Sequence, residues 1–277
     1  LSAYSFVNIF IWRKLYKISC TLIDGCLCVF FRDNLGCFAY LPPLGKNVTP
    51  ACLSECFKIM DGFNKNRQVS RIENVEEADT GFFEELGYTA ESKPGDYLCD
   101  RNTLADLKGD KFKSKRAACN FFLRNYKFSC SPFTAPDKAE ALKLCRQWVN
   151  QRRGASFDSV YQGMLEDSLL CQAEALSNFR KLGLSGLKVK INGRIKGYTI
   201  GYKLNKDIFC ILFETTDLSV KGLAQHIFRA FSQRIGHRYI NIMDDSGMDN
   251  LRRAKLSYHP FKTIASYIIT RKDGQAY

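Results

Sequence analysis

The strongest local constraint on the fold is the Asn192-Gly193 pair, which lies between two apolar, alternating segments. Asn-Gly is preferred in two-residue hairpin turns because both positions need a positive φ. Residues 187–191 and 194–204 are therefore predicted to form an antiparallel hairpin. A continuous apolar segment follows at residues 208–213 and predicts a buried strand.

Helical patterns lie on both sides of this hairpin. Thr134 and Asp137 have the spacing of a capping box, which predicts a helix over residues 136–151. Apolar spacing predicts a second helix over residues 159–181. After the buried strand the pattern predicts, in order, helix 221–234, strand 239–243, helix 248–256 and strand 263–270. This order of elements is similar to that of the GNAT acyltransferase fold.

The first half repeats that order loosely. Asp24-Gly25 marks a hairpin turn, and the segments after it predict strand 38–41, helix 50–63, strand 69–75 and helix 77–86. Gly25 and Tyr88 are 63 residues apart, while Gly193 and Tyr258 are 65 residues apart. Matching order, turn chemistry and spacing indicate a duplication.

We therefore predict the α/β (α+β) fold class, with two tandem GNAT-like domains whose mixed, mostly antiparallel central sheets are flanked by helices. The predicted N-terminal domain, residues 1–128, is degenerate and truncated at its start, because the sequence begins without Met. The predicted C-terminal domain, residues 129–277, carries the active site.

Composition excludes several classes of protein. Of the 277 residues, 45% are hydrophobic and 25% are charged, which fits a globular chain and neither a disordered nor a collagen-like one. The apolar stretch at residues 6–12 is too short to span a bilayer, so no transmembrane segment is expected. The 12 cysteines lie in apolar runs without any Cys-x-x-Cys pair. We therefore expect small buried hydrophobes, no metal site and a reducing cytoplasm.

Charge is distributed unevenly along the chain. Residues 1–107 hold 11 Lys and Arg against 14 Asp and Glu, whereas residues 108–277 hold 30 against 14. Such asymmetry indicates a face for a polyanion: nucleic acid, a phosphorylated carrier or an anionic membrane surface. A generally lysine-rich composition is the alternative, but an even excess would not leave the first part acidic.

A basic run at residues 108–124 is the candidate phosphate-binding element. At helical spacing Lys111, Lys115 and Asn120 share one face, and Arg116 adds a further charge. The other face is apolar, with Phe112, Cys119 and Phe122. Aligned lysines can neutralise successive phosphates with salt-sensitive affinity. The alternative is an ordinary solvated helix face.

The candidate catalytic residues lie near the ends of predicted elements. Glu214 ends the apolar strand, where burial would raise its pKa and allow it to act as a base. Arg252 and Lys255 share a helix face and could hold a phosphate or stabilise an oxyanion. Tyr258 follows them and could act as a general acid. A surface helix with a buried tyrosine is the alternative.

A turn before the predicted helix 221–234 is a candidate phosphate site. GNAT enzymes hold the pyrophosphate of coenzyme A on backbone amides at this place. Gly222 and Ala224 fit their usual pattern and Lys221 adds a charge, but Ser219 stands where an amide or basic residue is usual. Gly222 fits a simple turn residue equally well, so coenzyme A stays an open alternative.

Five segments in order resemble the phosphatidylglycerol lysyltransferase C-terminal domain family: SFVNIFIWRKLYKI, LKGDKFKSKRAACNFF, EDSLLCQAEALSNF, FETTDLSVKGLAQHIF and LRRAKLSYHPF. The resemblance covers nearly the whole chain and implies two GNAT domains. Its best-understood members move lysine or another amino acid from aminoacyl-tRNA to the head group of phosphatidylglycerol. Related Fem-type enzymes move amino acids from tRNA to peptidoglycan precursors.

The resemblance also implies functional roles for a set of residues: Gly109, Lys111, Lys115, Arg116, Asn120, Glu214, Lys221, Gly222, Asp245, Gly247, Arg252, Lys255, Ser257 and Tyr258. Three positions depart from the family pattern. Thr215 stands where Lys is expected, Ala117 where Asn is usual, and Asn250 where Gly is usual. These departures leave the donor chemistry open.

The resulting hypothesis is an acyltransferase-like enzyme that moves an aminoacyl group from aminoacyl-tRNA to an amine or hydroxyl acceptor. The acceptor would be a lipid head group or another small molecule. The expected partners are tRNA and an anionic membrane surface or lipid head group, and the expected location is the cytoplasm or the inner membrane surface. Two alternatives remain: an acyl-CoA-dependent N-acyltransferase, and a non-catalytic module that binds tRNA or another polyanion.

Overall fold

The structure, a computed structural model, describes residues 1–154 and 158–272. The chain divides into two compact units. Unit 1 comprises Leu1–Asp96, Asp244–Met248 and the described residues from Thr263 onward, and unit 2 comprises Tyr97–Met243 and Asp249–Lys262. The sequence of unit 2 is therefore inserted between parts of unit 1.

Unit 1 is built on a mostly antiparallel sheet with helices packed on it. Its strands are β1 (Lys17–Ile23), β2 (Cys26–Arg32), β3 (Cys37–Ala39), β4 (Ile72–Val75), the first part of β5 (Tyr88–Asp100), and β11 (Lys262–Arg271). They lie in the order β1-β2-β3-β4-β11-β5, and β3 and β4 pair in parallel. The helices are α1 (Phe6–Ile11), α2 (Pro50–Phe63) and α3 (Thr80–Glu85), with 3-10 turns at Ser2–Tyr4, Arg67–Val69 and Glu77–Asp79.

The longest helix of unit 1 covers the sheet because its sequence has a capped start and an apolar face. Thr49 precedes α2, and its Oγ1 accepts a hydrogen bond from the Cys52 amide at 3.0 Å. Pro50 stands at the first helical position, where its missing N–H costs nothing. Leu53, Phe57 and other residues at helical spacing are buried in the same core as the inner residues of β2.

Unit 2 contains the remaining strands. Its strands are the rest of β5, β6 (Phe128–Pro132), β7 (Ser185–Ile191), β8 (Arg194–Lys203), β9 (Ile208–Thr216) and β10 (Tyr239–Asn241). They lie in the order β5-β10-β9-β8-β7-β6, with β9 and β10 parallel and the other neighbours antiparallel. The helices are α4 (Arg101–Asp106), α5 (Lys113–Asn125), α6 (Lys138–Arg153), α7 (Ser159–Ser177), α8 (Leu223–Ser232) and α9 (Asp249–Leu256), with 3-10 turns at Asp110–Phe112 and Ala135–Asp137.

The local predictions from turns and caps are confirmed. Asn192 and Gly193 have φ values of 50° and 75°, and Asp24 and Gly25 have nearly the same values, 49° and 76°. The two hairpins therefore use one turn geometry, as the proposed duplication requires. The capping box predicted at Thr134 is also present.

The division of the chain differs from the predicted boundary at residue 128. Residues 97–128 pack in unit 2, because the last part of β5 pairs with β10 and α5 packs on α8. The final strand β11 packs in unit 1, where it pairs with β4. Two strands were also not predicted: the long strand β5 and the edge strand β6.

Within the described part of the chain, no helix combines the length and apolar character that crossing a bilayer requires.

Candidate active site

Glu214 lies near the end of an interior strand of unit 2. Its strand, β9, lies between β8 and β10, and residues 209–212 before it are buried. Although part of the residue is accessible, Oε2 is buried and has no hydrogen-bond partner among the described residues. Burial raises the pKa of Glu214 to about 8, and the positive charge of Lys115 opposes this rise. The carboxyl group is therefore mostly protonated at neutral pH.

Helix α5 brings Lys115 to the same place. The buried Cys119 and Phe122 fix the inner face of α5, as predicted, and Lys115 is half-buried beside that face. Its Nζ lies 4.1 Å from the centroid of the Tyr258 ring, a cation–π distance. Burial lowers the pKa of Lys115, while Cys119 and Glu214 counteract this effect. Lys115, predicted to hold a phosphate, is also an electrostatic neighbour of Glu214 and Tyr258.

Tyr258 completes this group just beyond the end of α9. Its ring packs on Phe228 of α8, with ring centroids 4.3 Å apart. His259 follows with a φ of 51°, and Pro260 prevents the helix from continuing. Burial raises the pKa of Tyr258 well above its ordinary value, and the Glu214 carboxylate adds to the rise. The phenol therefore keeps its proton at neutral pH. We call Glu214, Lys115 and Tyr258 the Glu214 cluster.

The other two predicted catalytic residues lie on α9. Lys255 is half-buried, and its Nζ donates a hydrogen bond to the Ile242 carbonyl at 2.6 Å, which ties α9 to the segment after β10. Arg252 lies on the exposed surface of α9. Lys255 thus has a structural contact in addition to any role in the reaction.

The predicted phosphate-binding residues of α5 and the turn before it have different environments. Lys111 and Asn120 are exposed, as a phosphate contact requires. Arg116 instead donates hydrogen bonds from Nη1 to the carbonyl groups of Leu107 and Gly109, the latter at 2.6 Å. Leu107 has a φ of 54° and ends α4. Arg116 therefore stabilises the turn between α4 and α5.

The turn before α8 is shaped by helix packing. Gly222 has a φ of 83°, and a Cβ there would lie 2.2 Å from the Ala118 carbonyl oxygen of α5. Glycine is therefore required for backbone conformation and for the close approach of the two helices. Lys221 is exposed, with Nζ 4.8 Å from the centroid of the Phe121 ring.

Two backbone amides of this turn are already bound by side chains. The Ser219 amide and hydroxyl donate to Asp217 Oδ1, at 3.0 and 2.7 Å. The Leu218 amide donates to Gln151 Oε1 at 3.3 Å. Asp217 is buried and also forms an ion pair with Lys196 at 2.8 Å. A carboxylate thus binds the amide at the start of the turn that the sequence suggested as a coenzyme A site.

Some neighbours of the Glu214 cluster were not predicted as site residues. Cys119 was assigned to the apolar face of its helix and Phe228 lies in the predicted helix 221–234, and both contribute to the surroundings of Tyr258. No sequence pattern distinguishes these two from ordinary core residues.

Three solved structures show what the chain is similar to. A conserved protein of unknown function from Bacteroides thetaiotaomicron is 28% identical, with a TM-score of 0.83, covering 97% of this chain and 90% of that one. L-PGS from Bacillus licheniformis is 16% identical, with a TM-score of 0.67, covering 98% of this chain and 88% of that one. A tandem GNAT protein from the clavulanic acid biosynthesis pathway is 9% identical, with a TM-score of 0.53, covering 98% of this chain and 89% of that one.

These similarities confirm the predicted fold class of tandem GNAT-like domains. The comparison with curated proteins gives no significant match. The family described as phosphatidylglycerol lysyltransferase, C-terminal, matches residues 1–270. This family and the GNAT-like fold together point to a transferase. The chain is therefore a member of the phosphatidylglycerol lysyltransferase C-terminal family.

Proposed function

We propose that the protein transfers an aminoacyl group from aminoacyl-tRNA to an amine or hydroxyl acceptor, and that the reaction takes place at the Glu214 cluster of unit 2. The observation that supports this most strongly is the buried Oε2 of Glu214, which has no hydrogen-bond partner among the described residues. A carboxyl group held this way has a pKa near physiological pH, as a general base requires.

The reaction begins when the acceptor nitrogen or oxygen attacks the ester carbonyl carbon of the aminoacyl-tRNA. Its proton passes to the ionised Glu214 carboxylate as the new bond forms. Lys115 stabilises the negative charge on the tetrahedral intermediate. The ester C–O bond then breaks, and Tyr258 donates its proton to the leaving ribose oxygen. Glu214 returns a proton to Tyr258, so one proton moves from acceptor to ribose overall.

Two features favour tRNA as the donor over coenzyme A. The net positive charge is concentrated in residues 108–277, and Lys111 and Lys221 are exposed, where a tRNA phosphate could reach them. The turn before α8 has its Leu218 and Ser219 amides bound by side chains, one of them the carboxylate of Asp217. That carboxylate would repel a pyrophosphate.

The proposed acceptor is a lipid head group or another small amine or hydroxyl compound, as the name of the family suggests for its members. Aminoacyl-tRNA is a cytoplasmic substrate, so the reaction would take place in the cytoplasm or at the inner membrane surface. Arg252, exposed on α9, is the proposed contact for an anionic head group or a carrier phosphate.

The test is single-turnover transfer from total tRNA charged with labelled amino acids, combined with binding assays for tRNA and for coenzyme A. Glu214→Gln should bind tRNA normally but lower the transfer rate about 100-fold, because the base is lost. Glu91→Gln, which removes an exposed carboxylate, is the matched control. The wild-type rate should rise with pH and level off above about 8.

Three results would contradict the proposal. Tight binding of coenzyme A with acyl transfer from acyl-CoA would support the N-acyltransferase alternative. Salt-sensitive tRNA binding without transfer to any tested amine or lipid would support the binding module. Equal rates for wild type and Glu214→Gln would exclude Glu214 as the base.

A further inference from the structure

The apolar core of unit 1 contains three cysteine thiols that converge. Cys28 comes from β2, and Cys52 and Cys56 come from α2. Their Sγ atoms all lie within 4.8 Å of one another, and those of Cys28 and Cys56 are 3.3 Å apart. All three side chains are buried. We call these three residues the thiol cluster.

The convergence follows from the periods of the two elements. Cys26 and Cys28 are two residues apart in a strand, so both point to the same face of the sheet. Cys52 and Cys56 are four residues apart in a helix, so they lie one turn apart on the same face. Cys26 also interacts with Cys52, which makes it a fourth thiol beside the cluster. A Cys-x-Cys pair therefore faces a Cys-x₃-Cys pair.

We propose that the thiol cluster binds a thiophilic cation, Zn²⁺ or Cu⁺, with Cys28, Cys52 and Cys56 as ligands and Cys26 as the adjacent fourth. Thiolates are the ligands that select these two ions. A tetrahedral site with Zn–S bonds of about 2.3 Å places its sulfur atoms about 3.8 Å apart. The separations in the cluster range from 3.3 Å up to at most 4.8 Å, so small side-chain rotations produce this geometry.

The loop at residues 45–47 lies against the Cys26 thiol. Gly45 is exposed, and a Cβ there would lie 2.5 Å from the Sγ of Cys26. The Cys26 thiol donates to the carbonyl of Asn47, also exposed, at 3.4 Å. The loop is held by a two-way backbone pairing of Leu44 with Leu27. Displacing residues 45–47 would therefore expose the Cys26 thiol, which lies beside the cluster.

The thiols have partners when they are protonated. Cys52 donates to the Ile23 carbonyl at 3.6 Å, and Cys28 donates to the Cys26 carbonyl at 3.7 Å. Cys56 donates to the Cys28 sulfur. The metal-free protein can therefore fold with its thiols protonated. Binding of the cation forms metal–sulfur bonds and releases the thiol protons to solvent.

The first experiment measures metal retention in the full chain. Wild type and variants are reduced, stripped with a chelator, incubated with Zn²⁺ alone or Cu⁺ alone, desalted and analysed for metal content. Cys37→Ala is the matched control, because Cys37 is equally buried in the same core but outside the cluster. We expect about one ion per chain for wild type and control, and about a tenth of that for Cys28→Ala and Cys56→Ala. Comparing the samples incubated with Zn²⁺ and with Cu⁺ shows which ion the protein prefers.

A second measurement does not depend on the variants folding. Wild type with and without the preferred ion is treated with a thiol-alkylating reagent, and the modified cysteines are mapped by mass spectrometry. The bound ion should protect Cys28, Cys52 and Cys56, while the exposed Cys20 reacts in both samples. Equal metal retention in Cys28→Ala and wild type, no retention in wild type, or no selective protection of the cluster would each overturn the proposal.

Discussion

The burial of Glu214 makes a prediction about stability that is independent of any substrate. Replacing Glu214 by Gln keeps the shape of the side chain but removes the ionisation. In the folded protein the pKa of Glu214 rises from its ordinary value of 4.5 to about 8. At about 1.4 kcal/mol per pKa unit, this corresponds to about 5 kcal/mol for a fully desolvated carboxylate. Because part of the residue is accessible, we expect about half, roughly 2–3 kcal/mol.

The direction of the effect follows from proton linkage. Between pH 4.5 and about 8 the folded wild type holds a proton that the unfolded chain has released. The free energy of unfolding of the wild type therefore decreases as pH rises through this range and levels off above it. The contribution of this proton to the free energy of unfolding is fully present below pH 4.5 and is lost above about pH 8. Glu214→Gln lacks this decrease, so its advantage over wild type grows with pH.

The assay is urea unfolding of wild type and Glu214→Gln at about pH 6 and about pH 9, followed by circular dichroism. We expect the stability difference between variant and wild type to increase by about 1.5 kcal/mol between these two conditions, because part of the effect has already developed below pH 6. Glu91→Gln should show no such increase, because it removes an exposed carboxylate. A difference for Glu214→Gln that is independent of pH would show that the folded protein does not hold this proton, and would refute the reasoning.

Four further predictions concern the site and its surroundings. Gly222→Ala should destabilise the protein by about 3 kcal/mol in thermal or urea unfolding, because a Cβ would lie 2.2 Å from a carbonyl oxygen of α5. Gly236→Ala is the control and should not destabilise the protein, because the space around Gly236 is open. Arg116→Ala should cost about 1 kcal/mol in the same assay, because two hydrogen bonds to carbonyl groups are lost, one of them part-buried and the other exposed. Lys111→Ala should leave stability unchanged but lower the affinity for tRNA. Filter binding across salt concentrations should show that the slope of log affinity against log salt concentration is smaller by about 1. An unchanged slope would make Lys111 an ordinary solvated residue. Tyr258→Phe keeps the ring packing and should lower single-turnover transfer about 100-fold, with unfolding free energy changed by less than about 1 kcal/mol; a normal rate would exclude the phenol as the acid.

The elements predicted well are those whose signals are local. The turn at Asn192 and Gly193 depends on two adjacent residues, and the inner face of α5 follows from apolar residues at helical spacing. Strand β5 was missed because Pro94 and Gly95 have the composition of a turn. Its structure depends instead on a distant strand: a Cβ at Gly95 would lie 2.2 Å from the carbonyl oxygen of Ile264 in β11.

The difference between local and long-range signals also explains which features of the candidate site and of the thiol cluster could be predicted. Glu214 was predicted from the end of an apolar strand, which is a local feature, and its environment agrees with that prediction. The position of Lys115 beside Tyr258 depends on how α5 packs in unit 2, so its spacing alone indicated only a charged helix face. The thiol cluster combines one strand residue with a helix pair more than 20 residues away, so no single sequence motif contains it.

The position of β11 has a consequence for the order in which the chain can fold during synthesis. Residues 1–96 leave the ribosome first, but the strand that lies between β4 and β5 is made only after residue 262. Until then the edges of β4 and β5 in unit 1 lack their partner strand, and unpaired edges favour aggregation. Most of unit 2, by contrast, is continuous in sequence and can fold as it emerges. We therefore expect that a released chain truncated after residue 262 protects unit 2 from protease and leaves residues 1–96 sensitive.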